Sequence, residues 1–238
     1  MKKLSDLKIK IFADGADKKG MIELYKKPYI KGFTTNPTLM RKAGVRDYRE
    51  FAREILKIIP DRPISFEVLA DDFENMEKQA LEINTWGKNV YVKIPVTNTK
   101  KESTYDLMKR LTEKGVKLNL TAIMTVEQVR NVVEAVKDTP SAFVSVFAGR
   151  IADTGRDPIP IMKECLEIMK PYKNIELLWA SPRELFNIFQ ADEIGVHIIT
   201  VTYDILAKMN MIGRSLDDLS LETVRMFYSD ACKAGYKL

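Results

Sequence analysis

The chain has 238 residues, 45% of them hydrophobic and 30% charged, a balance that suits one globular unit with a sizeable core. Its 38 basic and 33 acidic residues leave a net charge of +5, but the lysines are scattered among acids, which argues against nucleic acid as a partner. Two cysteines, Cys165 and Cys232, cannot form a disulfide framework, and the single histidine, His197, excludes most His-based zinc sites and a Ser-His-Asp triad.

The amino-terminal Met1-Lys2-Lys3 leads into no apolar signal core, and no run approaches the roughly 20 residues of a membrane span. A cytoplasmic protein with no membrane partner is therefore expected. Lys8–Asp14 reads as the first strand, with Ile9, Ile11 and Ala13 on one face and Asp14 on the other at its carboxyl end. The turn that follows, Asp14-Gly15-Ala16-Asp17, lacks the glycine pattern of a dinucleotide site. Gly32–Asn36 is the second strand, followed by a helical period over Asp47–Ile59. Ile64–Leu69 is the third, then a helix over Phe73–Trp86 and a fourth strand, Val90–Pro95. The fifth strand, Lys117–Ile123, leads to helix Val126–Val136, and the sixth, Ala142–Ala148, to helix Ile161–Met169. Ile175–Ser181 precedes helix Arg183–Ala191, and His197–Tyr203 precedes two closing helices near Asp204–Met211 and Leu219–Ala234.

Eight strands, their starts about 20 to 35 residues apart, predict an α/β protein: a single (β/α)8 TIM barrel over residues 1–238 with an additional carboxyl-terminal helix at about 219–234. A doubly wound open sheet is the alternative, and it usually has fewer strands.

A barrel makes alternation informative, because alternate strand residues point inward. With Val90, Val92 and Ile94 facing the helices, Lys93 points inward; Ile64, Phe66 and Val68 do the same for Glu67. Leu118 and Leu120 send Asn119 and Thr121 inside, and Val144 and Val146 send Ser145 and Phe147. A lysine, two carboxylates, an asparagine and two hydroxyls thus share one barrel mouth, where a purely structural core would hold Val, Ile and Leu. Desolvation disfavours an ammonium ion, and a neutral amine can attack a ketone to form a Schiff base. That chemistry needs acid/base groups, which Asp14 and Glu67 supply, and neither metal nor cofactor. The competing interpretation is an ion pair of Lys93 with Asp14 or Glu67 as structural infill.

In Ser181-Pro182-Arg183-Glu184 the spacing fits a capping box: Ser181 at the N-cap, Pro182 at the first helical position, Glu184 at the third. The same turn offers a hydroxyl, backbone N–H groups and a guanidinium to a phosphate, and Arg150 offers a second cation. The thiols read as inert, and His197 as a core or surface residue.

At Thr34-Thr35-Asn36-Pro37-Thr38-Leu39 and Val92-Lys93-Ile94-Pro95 the sequence resembles the transaldolase family, class I aldolase-like barrels that include the fructose-6-phosphate aldolases. The resemblance runs from about Ile11 to Leu206. It implies that Lys93 is the Schiff-base lysine, Asp14 the acid/base aspartate at the hydroxyl beside the cleaved bond, and Glu67 the glutamate that works with a bound water placed by Thr121. It gives Asn36, Asn119 and Ser145 to substrate hydroxyls, with Ser145, Phe147 and Arg150 matching S-x-F-x-x-R. It makes Arg150, Ser181 and Arg183 the phosphate contacts. Fructose-6-phosphate aldolases carry glutamine where Glu67 stands and tyrosine where Phe147 stands, so the resemblance favours transfer of a dihydroxyacetone unit over its release. It also implies sugar-phosphate substrates and a homo-oligomer, a pentamer or decamer, with the last helix crossing to a neighbour. That helix carries an apolar stripe at Leu221, Val224, Phe227 and Tyr228. Three departures stand out: Gly15 where the family has Thr or Ser, Pro182 inside the phosphate motif, and a longer segment at 97–103. The last is expected to reshape acceptor recognition. A second function class, a barrel that binds a sugar phosphate without turning it over, fits the same residues.

Overall fold

In the computed structural model, which describes residues 3–237, eight parallel strands close on themselves in chain order. They are β1 Lys10–Asp14, β2 Ile30–Thr34, β3 Ile64–Glu67, β4 Val90–Pro95, β5 Leu118–Ile123, β6 Ala142–Val146, β7 Ile175–Trp179 and β8 Ile198–Thr202. All eight predicted strands are present: β4 has the predicted bounds, β2 is shifted, and the others are trimmed by one or two residues. The helices are α1 Lys18–Tyr25, α2 Pro37–Lys42, α3 Tyr48–Ile58, α4 Phe73–Asn84, α5 Tyr105–Glu113, α6 Val126–Val136, α7 Ala148–Ala152, α8 Pro158–Met169, α9 Phe186–Glu193, α10 Tyr203–Leu206 and α11 Leu216–Ala234, with a 3-10 turn at Ala207–Met211. Of these, α1, α2, α5 and α7 lie outside the predicted set.

Side-chain oxygens end several of the loops and start the helices after them. Asp17, Asn36, Asp47 and Asp72 accept the N–H three residues on, and Thr125 and Gln128 form a reciprocal capping box. The outward phase of the strands (Ile64, Phe66, Val90, Val92, Leu118, Leu120, Val144, Val146) packs with Ile55, Met76, Leu111, Val132 and Met162 of the helices into the larger of two apolar clusters. Cys165 belongs to it, and burial pushes its thiol up to about 12. Asp192 on α9 latches the start of β1, accepting the N–H groups of Lys8 and Ile9 at 2.6 and 2.9 Å.

The second cluster lies inside the barrel and closes its amino-terminal half: Phe12, Phe143, Leu178, Ala180 and Ile198, with Tyr91 and Phe147 against it. Tyr91 stacks on Phe143 at 4.0 Å and Phe12 meets Phe143 edge-on at 5.6 Å. Gly32 makes room for this floor, because a Cβ there would stand 2.6 Å from the Phe12 ring. Above the floor the inward side chains turn polar.

Two expectations change. The residue before the β7 helix is not an N-cap: Ser181 sits at φ 61°, and α9 begins only at Phe186 with no side-chain cap. The N–H groups of Arg183 and Glu184 instead donate to Asn187 Oδ1, at 2.7 and 3.1 Å, so an amide from inside the helix reaches back to do the capping. Segment 97–103 folds into a small hairpin, Thr97 bridging Ser103, tied to Asp71 by the Thr99 N–H and hydroxyl. These two bonds hold the Asp71 carboxyl below the usual carboxylate range.

The last helix, α11, buries none of its residues; Leu221, Val224, Phe227 and Tyr228 are all exposed. Among the described residues, no helix is long and apolar enough to cross a membrane.

Candidate active site

Parallel register sets the inward groups side by side. Asp14 pairs with Thr34 and Thr202, Glu67 with Lys93, and Lys93 with Asn119. Lys93 is 7% exposed; its Nζ lies 3.2 Å from Glu67 Oε2 and donates to the Thr35 carbonyl at 3.2 Å. Asp14 Oδ1 accepts from the Thr34 hydroxyl at 2.7 Å. Burial raises the Asp14 carboxyl above its ordinary range, while the Lys93 charge and the Thr34 bond pull it back and Glu67 adds to the rise. One amine and two carboxylates therefore share one recess at the barrel mouth.

On the far side of Lys93, Ser145 Oγ donates to Asn119 Oδ1 at 2.6 Å, and Asn119 Nδ2 donates to Ser65 Oγ at 2.8 Å. This fixes the amide and leaves one Nδ2 proton for a ligand. Thr121 is 2% exposed, and its hydroxyl has no hydrogen-bond partner among the described residues. An orphan hydroxyl in such a place invites a water or a substrate oxygen. The strand bends just there: Ala122 takes φ 61°, and pairing with β6 slips between Leu120 and Ile123. Asn36 caps α2 through its Oδ1, accepting from Leu39 N–H at 3.0 Å, which turns its Nδ2 to other use.

The opposite rim is cationic. Arg150 sits on α7 with its guanidinium 5.8 Å from the Phe147 ring centre. Arg183 Nε donates to Asp153 Oδ1 at 2.9 Å and its Nη2 to Asp153 Oδ2, a fork that draws the Asp153 carboxyl below its usual range. Gly149 permits the two loops to touch: a Cβ there would stand 1.5 Å from the Ser181 carbonyl oxygen.

All eleven residues proposed from the sequence (Asp14, Asn36, Glu67, Lys93, Asn119, Thr121, Ser145, Phe147, Arg150, Ser181 and Arg183) line one cavity of about 480 Å³ at the carboxyl ends of the strands. Thr34, Lys42, Thr200 and Thr202 line it as well and were missed. The alternation that exposed Lys93 points to Thr34 on β2, and to Thr200 and Thr202 on β8, had it been applied there. Lys42 lies at the end of a helix and carries no such signal. No residue of the 97–103 hairpin lines the cavity, so that insertion does not reshape it directly. Tyr203 explains the Gly15 departure: its ring lies 2.7 Å from where a Gly15 Cβ would be, filling the room a Ser or Thr would take. Among the described residues no group of three or more His, Cys, Asp or Glu side chains is placed to hold a metal ion.

The family model described as Transaldolase/Fructose-6-phosphate aldolase matches residues 11–237. The chain belongs to that family. A probable transaldolase of Thermoanaerobacter sp. (strain X514) is 35% identical over 97% of this chain and all of its own length. One from Dehalococcoides mccartyi is 35% identical over 84% of this chain and 90% of its own, and one from Methanococcus maripaludis is 32% identical over 91% and 100%. Among solved structures, a monomeric dihydrodipicolinate synthase variant superposes with TM-score 0.61 at 11% identity, covering 94% of this chain and 79% of that one. The 3-hexulose-6-phosphate synthase of Salmonella typhimurium superposes with TM-score 0.55 at 13% identity, over 84% and 91%. At such identities the two structures speak for the barrel alone. Membership supports an aldolase or transferase enzyme.

Proposed function

We propose that the chain is a transaldolase that carries a dihydroxyacetone unit from a ketose phosphate to an aldose phosphate through a Schiff base on Lys93, without a cofactor. The donor would be sedoheptulose 7-phosphate or fructose 6-phosphate and the acceptor glyceraldehyde 3-phosphate or erythrose 4-phosphate, as in the pentose phosphate pathway. The observation that carries this reading is the buried Lys93 amine with Glu67 at 3.2 Å and Asp14 in the same cavity.

The neutral amine attacks the C2 ketone; the carbinolamine oxygen takes up a proton, delivered through Glu67, and leaves as water. Asp14 then removes the proton of the C4 hydroxyl, the C3–C4 bond breaks, and its electron pair passes into the iminium to give an enamine and a free aldose phosphate. The enamine attacks the acceptor aldehyde, and Asp14 returns its proton to the new hydroxyl. Water, held by Glu67 and the orphan Thr121 hydroxyl, finally hydrolyses the imine. Asn36, Asn119 and Ser145 hold the sugar hydroxyls, and Arg150, Ser181 and Arg183 the phosphate.

Borohydride reduction in the presence of fructose 6-phosphate, followed by peptide mapping, tests the reading. It expects an adduct on residue 93; folded protein that gives no adduct with any ketose phosphate overturns it in favour of a binding barrel. Added erythrose 4-phosphate should yield sedoheptulose 7-phosphate, whereas rapid dihydroxyacetone release without acceptor marks an aldolase.

Two further outcomes follow from this reading. Asp153→Ala frees the Arg183 fork, so KM for a phosphorylated ketose should rise about 3- to 10-fold while unphosphorylated ketoses are unaffected. Steady-state kinetics on both substrate types checks this. Family resemblance and the exposed apolar face of α11 support a ring of five or ten copies. Light scattering behind size exclusion should then report a mass five or ten times that of one chain.

A further inference from the structure

The cavity holds two threonines to which neither the resemblance nor the mechanism gives a role, although Thr34 opens the Thr-Thr-Asn-Pro motif. Thr34 on β2 and Thr200 on β8 flank Asp14 on β1, one strand to each side, and are 2% and 5% exposed. Their hydroxyls are in hydrogen-bond contact with each other, and Thr34 also contacts Asp14 Oδ1 at 2.7 Å. A hydroxyl has one proton to give. If Asp14 is to act as a base its carboxylate only accepts, so the Thr34 proton goes to Oδ1. The proton between the two threonines must then be that of Thr200.

We propose that Thr200 and Thr34 form a directed hydroxyl relay, Thr200 to Thr34 to Asp14, in which both act as positioning residues that aim the catalytic carboxylate and keep it ready to accept a proton. Asp14 Oδ1 is engaged by the relay, and its other oxygen has no hydrogen-bond partner among the described residues. That oxygen is the one left for the substrate hydroxyl. The inference rests on the Schiff-base reading above.

Three charged or titratable side chains from other elements act on Asp14 or are acted on by it. Lys93 on β4 favours its ionised form and Glu67 on β3 opposes it, and the hydroxyl of nearby Tyr203 on α10 is raised by burial first and then by the charges of Asp17 and Asp14. Burial opposes ionisation most strongly, and the Thr34 bond is the neutral contribution that offsets it. Loss of that bond disfavours the carboxylate, so protonation of Asp14 moves to higher pH. A base is active when deprotonated, so the acid limb of the rate profile moves the same way.

Thr34→Val keeps the shape and removes the hydroxyl. It should lower kcat roughly 10-fold or more, leave KM within about twofold, and move the acid limb up by about one pH unit. Thr34→Ser should restore most of the loss. Thr200→Val keeps the bond to Asp14 but frees its orientation, so it should shift the limb in the same direction by less. A Carbon-13 NMR titration of the Asp14 carboxyl, in wild type and each variant, reads the same shift in protein that turns nothing over. Borohydride trapping in the wild type separates the two readings: its absence removes the Schiff base, whereas an unmoved Asp14 titration in Thr34→Val removes the relay. The relay is also overturned if Thr34→Ser is as impaired as Thr34→Val, since the role would then be packing of the methyl group. If Thr34→Val does not fold, Thr200→Val decides, and an unmoved Asp14 titration there overturns the directed relay.

Discussion

Lys93→Met should abolish borohydride trapping and reduce turnover by at least about 10⁴-fold, because among the described residues no other amine lines the interior of the cavity and the covalent route has no substitute. Lys42 is the other lysine lining that space, and it stands on α2 at the mouth. Methionine matches the length and flexibility of the lysine stem, so the variant should fold into the same interior. What it leaves behind is Glu67, stripped of its partner 3.2 Å away. Intact mass after reduction, with circular dichroism to confirm folding, checks the result. Turnover within tenfold of wild type would assign the chemistry to another group.

Gly149→Ala carries the second large effect. A Cβ at 1.5 Å from the Ser181 carbonyl oxygen cannot be relieved by rotating a side chain, because the obstacle is backbone. The start of α7 and the loop before α9 must separate by more than an ångström, which also removes the weak bond from Gly149 N–H to the Ala180 carbonyl at 3.4 Å. Arg150 rides on one of these segments, and Ser181 and Arg183 on the other. Their spacing is what a phosphate would measure. A misplacement of that size should raise KM for phosphorylated ketoses about 100-fold and cost about 1–3 kcal/mol of stability. Kinetics with phosphorylated and unphosphorylated ketoses, together with thermal unfolding, checks both. A variant with wild-type KM for the phosphorylated sugar would remove this loop contact from phosphate recognition.

Much of this site was legible because a barrel converts period-two alternation into an inside and an outside. Val90, Val92 and Ile94 face the helices as the pattern required, and Lys93 lies inside. The same rule placed Glu67, Asn119, Thr121 and Ser145 in the cavity. It failed where backbone geometry departs from the period. Ser181 sits in the left-handed region, a conformation that composition does not announce, and Asn187 does the capping that the spacing assigned to Ser181. The role of Gly149 was hidden for a related reason: its importance lies in a carbonyl more than thirty residues away, and no local pattern reports such an approach. Short helices such as α2 and α7 span too few turns to show a period at all. The fork between Arg183 and Asp153 joins two loops that only the closed barrel brings together.

The aromatic floor of Phe12, Phe143 and Tyr91 closes the barrel from below, so ligands reach the cavity through the mouth at the carboxyl ends of the strands. Traffic through one door must be sequential. In a group transfer, the first aldose has to depart through the mouth before the second can enter, and the enzyme waits between them with the three-carbon fragment attached. Initial rates at several fixed acceptor concentrations should then give parallel lines in a double-reciprocal plot, and an excess of either aldose should inhibit by occupying the vestibule out of turn.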